Sequence, residues 1–184
     1  MRIIGGDARG KRLFIPGKSA VRPTADSIKE AFFNIIGIVD GKTFLDLFAG
    51  TGNMGLEALS RGALKAVFVE NNRALIDAIG RNIETCGFGG KGEILASDFI
   101  KAIQKLVKRS ETFDLLFADP PYERGIVSLT LEHLRNGSLM EKDGLLAVQH
   151  SVREAAAVDE SGQFVLTDRR QYGDTILSFF KKRD

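Results

Sequence analysis

Four acidic residues each close or follow an apolar run: Asp46, Glu70, Asp98 and Asp119. The last opens Asp119-Pro120-Pro121-Tyr122. Prolines fix φ and donate no N–H, so the carbonyls of Asp119 and Pro120 can be held facing a pocket. A carboxylate beside a rigid carbonyl gives two acceptors for the two hydrogens of a planar amino group. Tyr122 offers a flat face on which a base can stack. The plainer alternative is a rigid loop with a capping Asp.

Asp46 begins Asp46-Leu47-Phe48-Ala49-Gly50-Thr51-Gly52, an apolar run entering a glycine turn. Glycine lets backbone approach a ligand closely. No further Gly stands at dinucleotide spacing and no Lys-Ser/Thr follows, so the turn need not hold phosphate. Asp46 would repel phosphate and favour an amine-bearing ligand. Glu70, 24 residues later, can accept two hydrogen bonds from ribose hydroxyls. Asp98 can accept from an adenine amino group with Phe99 beside the ring, or can simply cap a helix. Phe48 can serve the core or line the pocket. An amine, a ribose and an adenine without phosphate describe S-adenosylmethionine.

These residues need strand ends to hold them. Apolar runs at Thr43–Phe48, Lys65–Glu70, Gly92–Ala96, Phe113–Ala118 and Gly144–His150 read as strands. Helical patterns at 53–61, 72–85, 99–109 and 125–135 separate them. Before them, Thr24 can cap a helix that stops at Gly37, with Ala25, Ile28, Ala31, Phe32, Ile35 and Ile36 on its buried face. Gln163–Thr167 and Thr175–Phe180 read as a closing hairpin through Gly173-Asp174. Alternating strands and helices predict an α/β fold: a parallel sheet covered on both faces, with ligands beyond the carboxyl ends of its strands.

The first 22 residues carry Arg2, Arg9, Lys11, Arg12, Lys18 and Arg22 against Asp7 alone, although the whole chain of 184 residues has a net charge of only +2. Arg2–Ile4 and Lys11–Ile15 read as a small β-element. A basic arm on a mildly acidic body points to a polyanion such as nucleic acid. No apolar run exceeds four residues, which excludes a spanning helix of about 20, and the start is too polar for a secretory signal. Cys86 alone excludes an internal disulfide, and with only His133 and His150 beside it a zinc site lacks ligands. The expectation is one soluble, cytoplasmic domain over 1–184: a basic hairpin arm (1–22), a helix (23–42) and a donor-binding catalytic core (43–184).

Asp46–Gly52, Glu70, Asp98 and the tetrad at 119–122 resemble the class I S-adenosylmethionine-dependent methyltransferases of exocyclic amino groups. That resemblance implies a Rossmann-like, seven-stranded, mostly parallel sheet with one antiparallel strand. Arg2-Ile3-Ile4-Gly5-Gly6, Arg9-Gly10-Lys11-Arg12-Leu13, Arg22-Pro23-Thr24, Ala31–Ile36 and Tyr172–Leu177 resemble the RsmD family, the bacterial 16S ribosomal RNA guanine-N2 methyltransferases. The resemblance implies catalysis by Asp119, Pro120, Pro121 and Tyr122. It implies donor contacts from Asp46, Phe48, Ala49, Gly50, Thr51, Gly52, Glu70, Asn71, Asp98 and Phe99. Arg2, Arg9, Lys11, Arg12 and Arg22 would hold RNA phosphates. The implied cofactor is S-adenosylmethionine without metal, and the implied partner is 16S ribosomal RNA or a small-subunit assembly particle, met by a monomer away from membranes. The competing readings are a DNA amino-methyltransferase, a protein glutamine N-methyltransferase and a non-catalytic RNA-binding module.

Overall fold

A computed structural model describes residues 1–17, 26–122, 124–135, 138–154 and 164–183. Thr24, Ala25 and Arg22 lie outside them. The elements run α1 (Asp26–Ile36), β1 (Thr43–Asp46), α2 (Asn53–Ser60), β2 (Lys65–Glu70), α3 (Arg73–Cys86), β3 (Gly92–Ala96), α4 (Phe99–Lys108), β4 (Phe113–Ala118), α5 (Ile126–Arg135), β5 (Met140–Ser151), β6 (Phe164–Tyr172) and β7 (Thr175–Lys182). The strands form a seven-stranded sheet in the order β3-β2-β1-β4-β5-β7-β6. Only β7 runs against its neighbours, β5 and β6. The chain divides into two compact units, Met1–Asp98 and Phe99–Asp184.

In the first unit, β1 pairs parallel with β2 and β2 with β3. Asp46 stands opposite Phe68, two residues before Glu70. Glu70 stands opposite Ala96, two residues before Asp98. The parallel register therefore brings the three acids to the carboxyl ends of neighbouring strands. Phe44, Leu45, Val67 and Phe68 are fully buried, each such side chain contributing about 1.5–3 kcal/mol. Every residue of α2 is buried. A Cβ at Gly55 would lie 2.3 Å from the Phe68 ring, so glycine lets this helix press onto β2. The Asn72 side chain caps α3, accepting from the amides of Ala74 and Leu75. Gly87, with φ 82°, ends that helix.

The arm departs from the two-strand expectation. Its formal pairing is a single antiparallel bridge, Arg2 with Arg12, flanked by Ile3 N–H to Lys11 O and Gly10 N–H to Ile3 O at 3.0 and 2.9 Å. Further arm backbone groups bond α2, among them Asp7 N–H to Ser60 O at 2.8 Å. Ile4 and Gly5 donate to Glu57 at 2.9 and 2.7 Å, and Ala8 donates to Ser60 Oγ at 2.9 Å. Gly6, at φ 71°, passes so close to α2 that a Cβ would sit 1.7 Å from Ser60 O.

The buried face of α1 also differs. Ile28, Lys29, Phe32 and Phe33 are buried, whereas Ala31, Ile35 and Ile36 are half-buried. The face turned because Lys29 goes inward. Its ammonium lies 3.2 Å from Glu57, 2.6 Å from Arg2 O and 2.8 Å from Asn53 Oδ1. Burial pushes this ammonium below the ordinary lysine value, while Glu57 opposes the shift.

In the second unit, β4 pairs parallel with β5. The closing hairpin exists, but β6 reaches Tyr172 and β7 reaches Lys182. Likewise β5 begins at Met140 rather than Gly144. Charged residues inside these long strands hid their true length.

Candidate active site

Of the residues expected to contact the donor, all but Phe99 belong to the first unit. Asp46 is 1% exposed, and its Oδ2 accepts from Gly55 N–H at 3.3 Å, so the acid holds the first turn of α2. Between them the chain turns through Gly50 (φ 57°) and Gly52 (φ 84°), a left-handed conformation that glycine adopts without strain. Gly52 N–H bonds Ala49 O at 2.7 Å and Ala49 N–H bonds Val69 O at 3.0 Å. Ala49 and Thr51 are buried and Phe48 is half-buried.

Glu70 is more committed than its sequence suggests. Oε2 accepts from Gly50 N–H at 2.9 Å, and Oε1 accepts from the amides of Asn71 and Asn72, each at 2.9 Å. A carboxylate has about four lone-pair sites, and three are taken. Glu70 thus fastens the glycine turn to the end of β2. Asn71 is exposed and Asp98 half-buried. The set remains acidic, suited to accepting from an amine and hydroxyls and unsuited to phosphate. That chemistry fits S-adenosylmethionine.

The acceptor tetrad belongs to the second unit. Asp119 leaves β4 half-buried, followed by buried Pro120, exposed Pro121 and half-buried Tyr122. Burial pushes the Asp119 carboxyl up to about 7, and a hydrogen bond from Tyr122 pulls in the other direction. Burial, the neighbouring Asp119 charge and that same bond push the Tyr122 phenol up to about 12, while bonds with Gln149 and Thr175 oppose. Gln149 Nε2 donates to the Tyr122 hydroxyl at 2.8 Å. The tyrosine is therefore pinned at its tip. Phe99 starts α4 and meets His133 of α5 edge-on, with ring centroids 6.4 Å apart.

Arg2, Arg9, Lys11 and Arg12 are exposed on the arm. Lys11 is partly spoken for, since its ammonium donates to Thr85 O at 2.9 Å near the end of α3. Arg22 lies outside the described residues. No helix among those residues is long and apolar enough to cross a membrane.

Several working residues escaped the sequence reading: Lys29, Glu57, Ser60, Asn82 and Gln149. Most carried a signal. Glu57 is the single acid of a helix otherwise buried in apolar contacts, and Asn82 interrupts the apolar stripe Leu75, Ala78, Ile79, Ile83, Cys86. Gln149 follows four apolar residues of β5. His150 beside it is fully buried against Ser178 Oγ at 2.9 Å, a structural role.

The chain is 34% identical to YlbH of Bacillus subtilis over 184 residues, covering all of both chains. It is 35% identical to the ribosomal RNA small subunit methyltransferase D of Escherichia coli over 154 residues, which is 83% of this chain and 75% of that one. The solved structure of yhhF from Escherichia coli superposes with a TM-score of 0.85 at 26% identity, covering 100% of this chain and 98% of the other. The family described as "Conserved hypothetical protein 95" matches residues 1–181. With its fold, its full-length match and its acids at the strand ends, the chain belongs to that family, the RsmD family of S-adenosylmethionine-dependent rRNA methyltransferases.

Proposed function

We propose that this protein transfers a methyl group from S-adenosylmethionine to the exocyclic N2 amine of a guanine in small-subunit (16S) ribosomal RNA. The observation that carries the reading is the Asp119 carboxyl at the end of β4, set on a proline-stiffened turn and bonded by Tyr122, whose hydroxyl accepts from Gln149 at 2.8 Å. When bound, S-adenosylmethionine supplies a methyl group already activated by its sulfonium.

When the donor is bound, Glu70 and the Gly50-Thr51-Gly52 turn would hold its ribose, Asp46 and the turn would take its amine, and Asp98 would accept from its adenine. Asp119 and the Pro120 carbonyl accept the two hydrogens of the guanine amine. That grip orients the nitrogen lone pair, which conjugation with the ring otherwise weakens as a nucleophile. As the N–C bond forms, positive charge grows on the nitrogen and the Asp119 carboxylate stabilises it. A carboxyl near pH 7 is also suited to take the proton then released. Alignment alone supplies much of the acceleration, with effective molarities of about 10⁵–10⁸ M in favourable cases.

The guanine must leave its stack to reach such a grip, and Tyr122 then offers its ring face. Exposed Arg2, Arg9 and Arg12 support the phosphates, as does the naming of the Escherichia coli relative for ribosomal RNA. On this reading the protein acts as a cytoplasmic monomer on 16S RNA, naked or in an assembling particle. Methyl transfer to small subunits lacking the modification, followed by mass mapping, tests it. N2-methylguanosine in 16S RNA is expected. A methyl on adenine N6, on DNA, on a protein glutamine, or nowhere would overturn the reading.

A further inference from the structure

One buried side chain of the first unit bonds both the arm and the donor turn, which also touch where Thr51 Oγ1 donates to Met1 Sδ at 3.4 Å. Asn82, on α3, is fully buried. Its Oδ1 accepts from Phe14 N–H at 2.7 Å, and its Nδ2 donates to Phe14 O at 3.1 Å. One amide thus satisfies both backbone groups of Phe14, as a neighbouring strand would. The same Nδ2 donates to Thr51 O at 2.9 Å. Thr51 is the middle residue of the glycine turn, and the next peptide N–H, that of Gly52, is held by Ala49 O. The Thr51–Gly52 peptide is therefore fixed at both polar ends, one of them by Asn82.

The glycines flanking Thr51 have φ 57° and 84°. Glycine accepts these angles but also accepts many others, so conformation alone does not hold the turn. External bonds must: Glu70 at Gly50 N–H and Asn82 at Thr51 O. Neighbours of Asn82 on the same helix also engage the arm. The Arg81 guanidinium stacks 4.8 Å from the Phe14 ring centroid, and Thr85 O accepts from Lys11.

We infer that Asn82 is a positioning residue that ties the basic arm to the donor turn, so that donor affinity depends on an amide shared with the polynucleotide-binding arm. The inference rests on the proposed methyl-transfer reading, since it takes S-adenosylmethionine as the ligand of that turn. Removing the donor hydrogens of Asn82 frees the Thr51–Gly52 peptide and costs donor binding. Weakening the amide from the arm side acts on the same turn from a distance. By linkage, whatever the arm's ligand does to donor affinity, the donor does reciprocally to the arm.

The test is calorimetric titration of S-adenosylmethionine into the full-length wild type and four variants, with thermal melting alongside. Asn82→Asp keeps the acceptor to Phe14 N–H but turns a carboxylate toward two carbonyls. Its Kd is expected to rise roughly tenfold at pH 8. It should return toward wild type as pH falls and the new carboxyl gains a proton to donate to Thr51 O. A purely structural role would shift the melting temperature with pH and leave the Kd of the folded protein unchanged. Asn82→Ala should show the loss without the recovery. Phe14→Pro deletes the arm's N–H and leaves α3 untouched, so it decides the matter if position 82 variants fail to fold; a several-fold rise in Kd is expected. Phe14→Ala keeps the backbone bonds and loses the Arg81 stacking, so its Kd should rise less than that of Phe14→Pro. Wild-type donor affinity in both Asn82→Asp and Phe14→Pro overturns the inference. A wild-type protein that binds no donor overturns instead the reading beneath it.

Discussion

The Gln149 amide donates to the Tyr122 hydroxyl at 2.8 Å, leaving that hydroxyl its own hydrogen to give to Asp119. The order of donation has a kinetic consequence. Tyr122 favours the ionised form of Asp119, against the burial that pushes this carboxyl up to about 7. An ionised carboxylate is the stronger acceptor for an amine that is turning cationic. The kcat of methyl transfer should therefore rise with pH and level off above about 7. In Tyr122→Phe the lowering bond is gone, so the limb should move to higher pH, with kcat at pH 7 falling several-fold and recovering partly at pH 9. A pH–kcat profile of the two proteins checks this. A limb that stays in place detaches Tyr122 from the ionisation of Asp119.

The same carboxyl weighs on stability. Its folded value of about 7 stands above the ordinary 3.8, so the fold prefers the neutral acid. That contribution is complete below the unfolded value and is lost as pH rises through about 7. Asp119→Asn does not titrate. It should match the wild type in denaturant near pH 4 and exceed it at pH 8, by on the order of 1–4 kcal/mol, while turnover collapses. Urea melts at both pH values measure the difference. Equal stability gaps at pH 4 and pH 8 would show that burial of Asp119 carries no such cost.

Much of this was open to a reader of the residues alone. Asp46, Glu70 and Asp98 stand where parallel strands end, because apolar runs and glycine turns report local structure directly. The tetrad at 119–122 is rigid by composition, and a parallel sheet with an added antiparallel edge follows from the alternation and the closing hairpin, whereas the strand order came only with the structure. Partners distant in sequence were not open. Lys29 and Glu57 are 28 positions apart, and nothing in the sequence pairs them until α1 and the arm close over α2. Asn82 reads as a polar gap in a stripe, and its bonds to Phe14 and Thr51 span 68 and 31 positions. Glu70 at the end of β2 was legible as a strand-end acid, whereas its three backbone amides depended on how the glycine turn folds back.

Gly6 and Gly10 separate two reasons for glycine in the arm. Both have positive φ, 71° and 86°. A Cβ at Gly10 would meet nothing within 4 Å, while one at Gly6 would strike Ser60 O. Gly10→Ala should cost about 1 kcal/mol for its backbone angle alone. Gly6→Ala should cost about 2 kcal/mol more, because the arm must lift from α2. Chemical denaturation gives both numbers. Similar losses at the two positions would mean that the arm is not pressed onto α2.

The arm's charges make the last prediction. Arg9 and Arg12 are exposed, whereas Lys11 is anchored on Thr85 O and contributes to holding α3 as well. Replacing the two arginines should leave folding intact and remove phosphate contacts. Each contact to duplex RNA or DNA releases about one counterion, so log K falls with log salt in proportion to the contacts made. The double variant Arg9→Ala/Arg12→Ala should therefore bind a 16S fragment with a slope shallower by about 2, while donor affinity stays as in wild type. Lys11→Ala should shift the slope by less and lower the melting temperature, since its ammonium serves the helix. Fluorescence anisotropy over a salt series reads the slopes. An unchanged slope in the double variant takes the arm off the RNA, because a charge that meets a phosphate cannot be removed without changing how many ions the complex releases.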